Sequence, residues 1–395
     1  MSHIIGVFGL LTVSLFTVYC SFRVPEVAKY LFIALILRII FALVNTYIVP
    51  LPDTQFDSNF FERYAWELYE KNIGVNDINF YGNGLGYPLY LSYFYYIFEV
   101  RSPLFLQSLS VGAGVAVVFF SYKISTKIWD IKSSKRVALL VAIFPSLVLY
   151  SSIIMREMFI LLFILISYYY LIDYFSEFKV KINNLFFALV SFTIAGSLHG
   201  LALIFLVGFF FTAIYFCMRG FIKCKIKYKF LLIPLFVVLL FIFEYFEFYI
   251  PYVGNLDKIT NIDTYIQASN NRLLGNASYP EFFKTDNWIQ YLIYLPLRVL
   301  YFIGSPFIWD IKDTKHIVGY IDSIFYFYLF FSFFRHYSSI MNNQALRGIL
   351  YSIIPILMAF SIATSNFGGA IRHRSTMIVF FIIIIAPFLK KIRIN

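Results

Sequence analysis

The stretch VALLVAIFPSLVLYSSIIMREMFILLFILISYYYLIDYF, residues 137–175, decides the fold. A helix needs roughly 20 apolar residues to cross a bilayer, and this run is long enough for two. Near its middle stands a charged pair, Arg156-Glu157. We read two spans, 137–155 and 158–175, meeting at that pair. The pattern repeats on both sides. Further spans are expected at 4–22, 30–50 and 103–122 before it. After it they are expected at 184–199, 200–218, 230–247, 317–334, 348–365 and 376–389. Two more apolar stretches, 87–98 and 289–309, are short or interrupted. The second carries Pro296, Arg298, Gly304 and Pro306.

Composition agrees with that reading. Of 395 residues, 61% are apolar and 13% charged, against roughly 25% charged in ordinary soluble domains. A water-soluble fold needs charge on its outside, so this chain is expected to be solvated by lipid. The expected fold is an all-α integral membrane protein, a single polytopic domain over 1–395 with about 11–13 transmembrane helices. Residues 87–98 and 289–309 are expected to be re-entrant or interfacial. The 49 Phe and 32 Tyr suit a lipid-facing surface with aromatic belts. No Lys or Arg precedes the first span and no small-x-small cleavage site follows it, so it reads as a retained span. The net charge of +11 lies in short clusters between apolar runs. That is how a polytopic protein sets its orientation, and it argues against a nucleic-acid partner. Cys20, Cys217 and Cys224 form no spaced framework for disulfides or zinc.

The basic clusters are Lys123–Arg136, Lys179 with Lys181, Arg219–Lys229 and Lys390–Arg393. With eleven crossings all of them fall on one side, which the positive-inside rule makes the cytoplasm. Two outer loops follow, 51–86 and 248–288. The first holds Asp53, Asp57, Glu62, Glu67, Glu70 and Asp77 against Arg63 and Lys71. The cytoplasmic links are short, and no P-loop or GxGxxG opens a helix, so neither ATP nor a dinucleotide is expected.

Five features carry chemistry. Asp53 and Asp57 precede a helical pattern of Phe60, Phe61, Tyr64, Ala65 and Leu68, with Asn59 and Glu62 spaced as a capping box. A carboxylate there fits a general base, a divalent-cation ligand, or a turn residue after Pro52. Arg156-Glu157 fits a polar cavity or a charged turn. His199, in Ser197-Leu-His-Gly200, fits a proton carrier, a phosphate ligand or a structural turn. Asn366-Phe-Gly-Gly-Ala-Ile-Arg372-His373-Arg374 places two guanidiniums and an imidazole between two expected spans. Basic residues on the outer face need a reason. An anionic ligand supplies it, because Arg forks match phosphate oxygens; a basic loop at lipid headgroups is the other reading. Arg298, near the helix-breaking Gly304-Ser-Pro306-Phe-Ile-Trp309-Asp310, fits a phosphate contact or a structural role. Arg38, inside the second span, fits snorkelling or a pair with one of the acids. Glu99 and Arg101 read as a turn.

The order of these motifs resembles known enzymes. Leu37-Arg38-Ile-Ile-Phe-Ala precedes Pro52-Asp53 and Asp57. Then come Phe144-Pro145-Ser146, Tyr150 to Arg156-Glu157, Gly304-Ser-Pro306-Phe-Ile-Trp309-Asp310, and Arg372-His-Arg374. From about residue 35 onward the chain resembles bacterial polytopic glycosyltransferases of the GT-C type. It also resembles the O-antigen or capsule repeat-unit polymerases of the Wzy type. The acids of the first loop are four residues apart rather than adjacent, and no soluble C-terminal domain is expected. The late loop has Arg272 but no His.

The resemblance implies glycosyl transfer from a polyprenyl (pyro)phosphate carrier at the outer face of the bacterial cytoplasmic membrane. Asp53, or Asp57, would serve as base or hold a possible divalent cation. Glu157 joins the candidate catalytic acids. Arg372 and Arg374, with Arg156, His199, Arg298 and His373, would bind the lipid phosphate. The expected activity is polymerisation of undecaprenyl-pyrophosphate-linked repeat units in lipopolysaccharide or capsule synthesis. The expected partners are the lipid-linked glycan, the bilayer and a chain-length regulator protein. Two alternatives stand beside it. One is a transferase adding a single sugar from a polyprenyl phosphate. The other is a flippase, which calls for charge at mid-membrane depth and repeated halves.

Overall fold

A computed structural model describes residues 1–72, 86–177, 181–218, 262–271, 273 and 276–389. The expected span at 230–247 lies outside these, as do Lys179 and the basic clusters at 219–229 and 390–393. So do 73–85 of the first expected loop and 248–261 of the second.

Every regular element among the described residues is helical, and the one β contact is an isolated antiparallel bridge between Ser278 and Asn366. Helices α1 (Ser2–Arg23), α2 (Ala28–Tyr47) and α5 (Pro103–Ser125) form the first group. Next come α8 (Glu157–Glu177), α9 (Ile182–Leu198) and α10 (Leu203–Met218). Then follow α12 (Trp288–Gly304), α13 (Thr314–Arg335), α15 (Gln344–Ala363) and α16 (Phe367–Ile385). Among the described residues seven helices (α1, α2, α5, α8, α13, α15 and α16) are long and apolar enough to cross a membrane. Helices α9, α10 and α12 are apolar but shorter. This is the architecture of an all-α membrane protein.

The layering follows from composition. The core of α16 is 83% buried and that of α5 78%, against 33% for α1 and for α2. Helices α5 and α16 are therefore central. Helix α1 turns Ile4, Val7, Phe8, Leu11 and Leu15 outward, which only lipid tolerates across such a surface.

Two ends of the bundle are distinct. At one, Ser102 Oγ donates to Ser2 O at 2.8 Å and His3 meets Tyr47. At the other, Lys127 Nζ bonds Asp173 at 2.8 Å and Trp129 Nε1 donates to Ile383 O at 2.8 Å. There Arg136 Nη1 donates to the carbonyls of Ala386, Pro387 and Leu389.

Several expectations change. The span expected at 137–155 is not one helix. Helix α6 (Ile131–Ile143) stops, Phe144 is extended with ψ 126°, and α7 (Pro145–Tyr150) follows. Pro145 lacks the N–H that would continue α6, and it drives Phe144 out of the helical region. Residues 151–156 are non-helical before α8 starts at Glu157. The expected short stretches become α4 (Gly86–Phe98) and α12. At 13 residues α4 is about 20 Å long, too short to cross. The expected capping box does not form. Helix α3 (Asn59–Glu70) has no side-chain cap, because Glu62 is drawn to Tyr95 Oη at 2.7 Å and to Arg101 at 2.6 and 2.8 Å. Arg101 is thus an anchor between α3 and the start of α5, and its bond to Glu62 holds its guanidinium above the ordinary range.

Candidate functional site

The site is built where broken helices meet at the first end. Pro50 and Pro52 stop α2. Asn45 Oδ1, near its end, accepts from Leu51 N at 2.9 Å and Thr54 Oγ1 at 2.6 Å, folding the loop back. Asp53 then lies at φ 66°, and Thr54–Ser58 form one wide π turn into α3. Left-handed backbone at a non-glycine residue is uncommon and tolerated best by Asn and Asp; where it occurs it points to function. The non-helical stretch 151–156 is tied to this loop by Ile154 N donating to Ser58 Oγ at 3.2 Å. Tyr150, last in α7, donates its hydroxyl to Asp53 Oδ2 at 2.9 Å.

Arg372 approaches from α16. It was expected in a loop between spans, yet Asn366 caps the helix, accepting from Gly369 N at 2.6 Å, and the basic residues lie inside its opening turns. Arg372 Nη1 pairs with Asp57 Oδ2, and its Nε lies 3.2 Å from Glu157 Oε1. Arg156 Nε is 4.0 Å from the same oxygen, with its guanidinium over the Phe61 ring. The second Glu157 oxygen is buried with no hydrogen-bond partner, as is His199 Nε2. The His199 and His373 rings are 5.8 Å apart, and His373 stacks on Phe360 at 4.6 Å. Glu157, His199 and His373 line one small void.

The fold therefore gathers Asp53, Asp57, Arg156, Glu157, Arg372, His199 and His373 at one place. Two expected residues stand apart. Arg374 turns away, directing Nη1 to the carbonyls of Ile303 at 2.8 Å and Ser305 at 2.6 Å, and Nη2 to Asp322 at 3.2 Å. Arg298 is buried against Tyr291 and Phe283, with Nη2 on the Phe283 carbonyl at 3.2 Å. Arg38 makes no ion pair among the described residues; it donates to the Ala142 carbonyl at 2.9 Å, at the broken end of α6. The two acids expected to share a cation are engaged separately, Asp53 by Tyr150 and Asp57 by Arg372. Among the described residues no group of three or more His, Cys, Asp or Glu could hold a metal ion.

Beside the cluster opens a cleft of about 210 Å³. It is lined by Asp53 and Tyr150, by Asp322 and Gly319 of α13, by Gly368 and Ile371 of α16 and by Ser146 of α7. Asp322 and Tyr150 were not singled out from the sequence. The signal for Asp322 was present, since it is a lone acid inside an apolar run. Near this end Asp310 accepts from Phe307 N at 2.9 Å, and burial pushes its carboxyl above the ordinary range.

The described residues form an all-helical bundle of membrane type with an arginine–carboxylate site at one end. Comparison with protein-family models, with curated proteins and with solved structures finds no match to the chain.

Proposed function

We propose that the chain transfers glycosyl groups from a polyprenyl-linked donor in bacterial surface polysaccharide synthesis, at the outer face of the cytoplasmic membrane. One observation carries the reading. Arg372 is a partly open guanidinium, 13% exposed and held by two carboxylates, and it adjoins the oriented base Asp53. A phosphate or pyrophosphate displaces Asp57 and Glu157 from Arg372 and takes its two-pronged fork. Arg156 supplies a second positive charge. Asp53, aligned by Tyr150, takes the proton of the acceptor hydroxyl as its oxygen attacks the anomeric carbon. The bond from that carbon to the phosphate oxygen breaks, and the electron pair leaves with the lipid phosphate. Arg372 and Arg156 stabilise the charge that grows there, a contribution of roughly 3 kcal/mol per well-placed donor. Asp57 is the alternative base once Arg372 releases it.

Orientation is supported by Lys127, Lys132, Lys135 and Arg136, which gather at the end opposite the site. Among enzymes of this kind we favour a repeat-unit polymerase, with a chain-length regulator as its protein partner. A single-sugar transferase is favoured by the small volume of the cleft. The position of the cluster at one end weighs against a flippase.

The test uses purified protein in nanodiscs with a polyprenyl-pyrophosphate-linked oligosaccharide. Asp53→Asn is expected to bind this lipid as tightly as the wild type and to transfer no sugar. Arg372→Ala is expected to lose binding. Normal turnover by Asp53→Asn and Asp57→Asn together removes the proposed base.

A further inference from the structure

The cleft differs in chemistry from the cluster beside it. Asp53 and Asp322 both line it, and no Lys or Arg does. Its one imidazole, His316, accepts from Lys312 N at 3.1 Å through Nδ1, which leaves its Nε2–H as a neutral donor. Arg374, the cation paired with Asp322, points to the carbonyls behind α12. The remaining surface is Pro50, Leu51, Phe56, Leu149 and Phe367, with Gln55 at the edge. Ser146 lines it as well, with its hydroxyl buried beside Asp322.

Arg374 neutralises Asp322, so an anion entering this recess of low dielectric is repelled by the Asp53 carboxylate and meets no Lys or Arg in the lining. A metal ion finds too few ligands, because Asp53 accepts from Tyr150, while Asp322 accepts from Ser146 N at 3.0 Å and from Arg374. What fits is a neutral ligand that donates hydrogen bonds and offers apolar faces to rings. We propose that this cleft is a second subsite, one that takes an uncharged, hydroxyl-rich sugar residue and rejects acidic sugars. Anion and neutral ligand are then sorted to either side of Asp53: phosphate to Arg372, sugar hydroxyl to the cleft. The volume lies below the roughly 300–1,000 Å³ of sites for drug-sized ligands, so one terminal sugar enters and the rest of the glycan stays outside. The role as acceptor subsite rests on the proposed glycosyl transfer; the binding preference does not.

Gly368 offers the test. A Cβ built there meets nothing closer than 3.7 Å, so a side chain at 368 enters the cleft without displacing the helix. Saturation-transfer NMR on the protein in nanodiscs, with a panel of neutral methyl glycosides and their uronate counterparts, reads binding directly. Wild type is expected to saturate a neutral glycoside and not its uronate. Gly368→Phe is expected to lose that signal while binding of polyprenyl phosphate is unchanged. Val318→Trp, at the exposed mouth, serves as a second blocking variant should the first not fold. Equal binding of the uronates, or full glycoside binding in the blocked variants, overturns the inference. If no glycoside binds while polyprenyl phosphate binds through Arg372, the cleft assignment fails and the transferase reading stands. If glycosides bind in the cleft while polyprenyl phosphate ignores Arg372→Ala, the transferase reading fails and the cleft assignment stands.

Discussion

Asp53 and Asp322 face the same cleft and have opposite prospects under substitution. Asp53 is partly exposed, its backbone is in the left-handed region, and its side chain has one described partner, Tyr150. Asp322 is buried and satisfied by Arg374 and the Ser146 backbone. Removing one partner of a buried pair strands the other charge, at a cost of roughly 3–5 kcal/mol. Asp322→Ala is therefore expected to lower stability by about that amount, read as loss of folded protein in a thermal-shift assay in detergent. Asp53→Asn is expected to leave the melting curve unchanged and to remove turnover. Tyr150→Phe, which frees the Asp53 carboxylate to rotate, is expected to lower kcat and spare binding of lipid phosphate. If the two Asp variants melt alike, the separation of roles fails. The residues that ended up together were mostly legible in the sequence, because charge is so scarce there that each instance stands out. What could not be read was their division of labour. Arg372 and Arg374 are two positions apart, yet a helix turns about 200° over that distance, so one reaches the site and the other points behind it.

At the scale of the element, arginines stand where helices end inside the bundle. The last carbonyls of a helix have no partners within it, and away from water they need donors. Arg38 serves α6 at Val141 and Ala142, Arg374 serves α12 at Phe302 and Ile303, and Arg136 serves the close of α16 at Ala386 and Pro387. Each guanidinium also lies at the negative end of a helix dipole. The fit around Arg38 requires Gly114, where a Cβ would fall 2.5 Å from both Arg38 Nε and Ser151 Cβ. Gly114→Val is expected to cost about 1–3 kcal/mol by overpacking, and Arg38→Met a comparable amount through carbonyls left without donors. Thermal-shift measurement checks both, and unchanged melting of Arg38→Met removes the capping role. Asn366→Ala is expected to cost about 1 kcal/mol by uncapping α16. The capping role of Arg38 is not legible in the sequence, since Phe144-Pro145 lies within a continuous apolar run. The residues for the break were in plain view; hydropathy averages over a proline and hides it.

At the scale of the molecule, the apolar runs point to helices, and among the described residues length sorts these into seven able to cross and several that are not. The shorter α4 packs with α3 at the site end, where the Tyr87 ring meets the Phe61 ring at 5.2 Å. Topology is testable at this scale. In a cysteine-free background, a cysteine at Arg63 is expected to react with a membrane-impermeant thiol reagent on intact cells, and one at Lys132 only after the membrane is opened. Labelling of both, or the reverse pattern, contradicts the orientation proposed for the site.

The central claim is that Arg372 holds the phosphate of a lipid-linked glycan during transfer. Its most direct measurement is the gel profile of surface polysaccharide from a deletion strain complemented with wild type or with Arg372→Ala. The account predicts single capped repeat units in the deletion, a full ladder with wild type, and no ladder with Arg372→Ala present at wild-type levels in the membrane. A full ladder with Arg372→Ala, or one that survives the deletion, contradicts it.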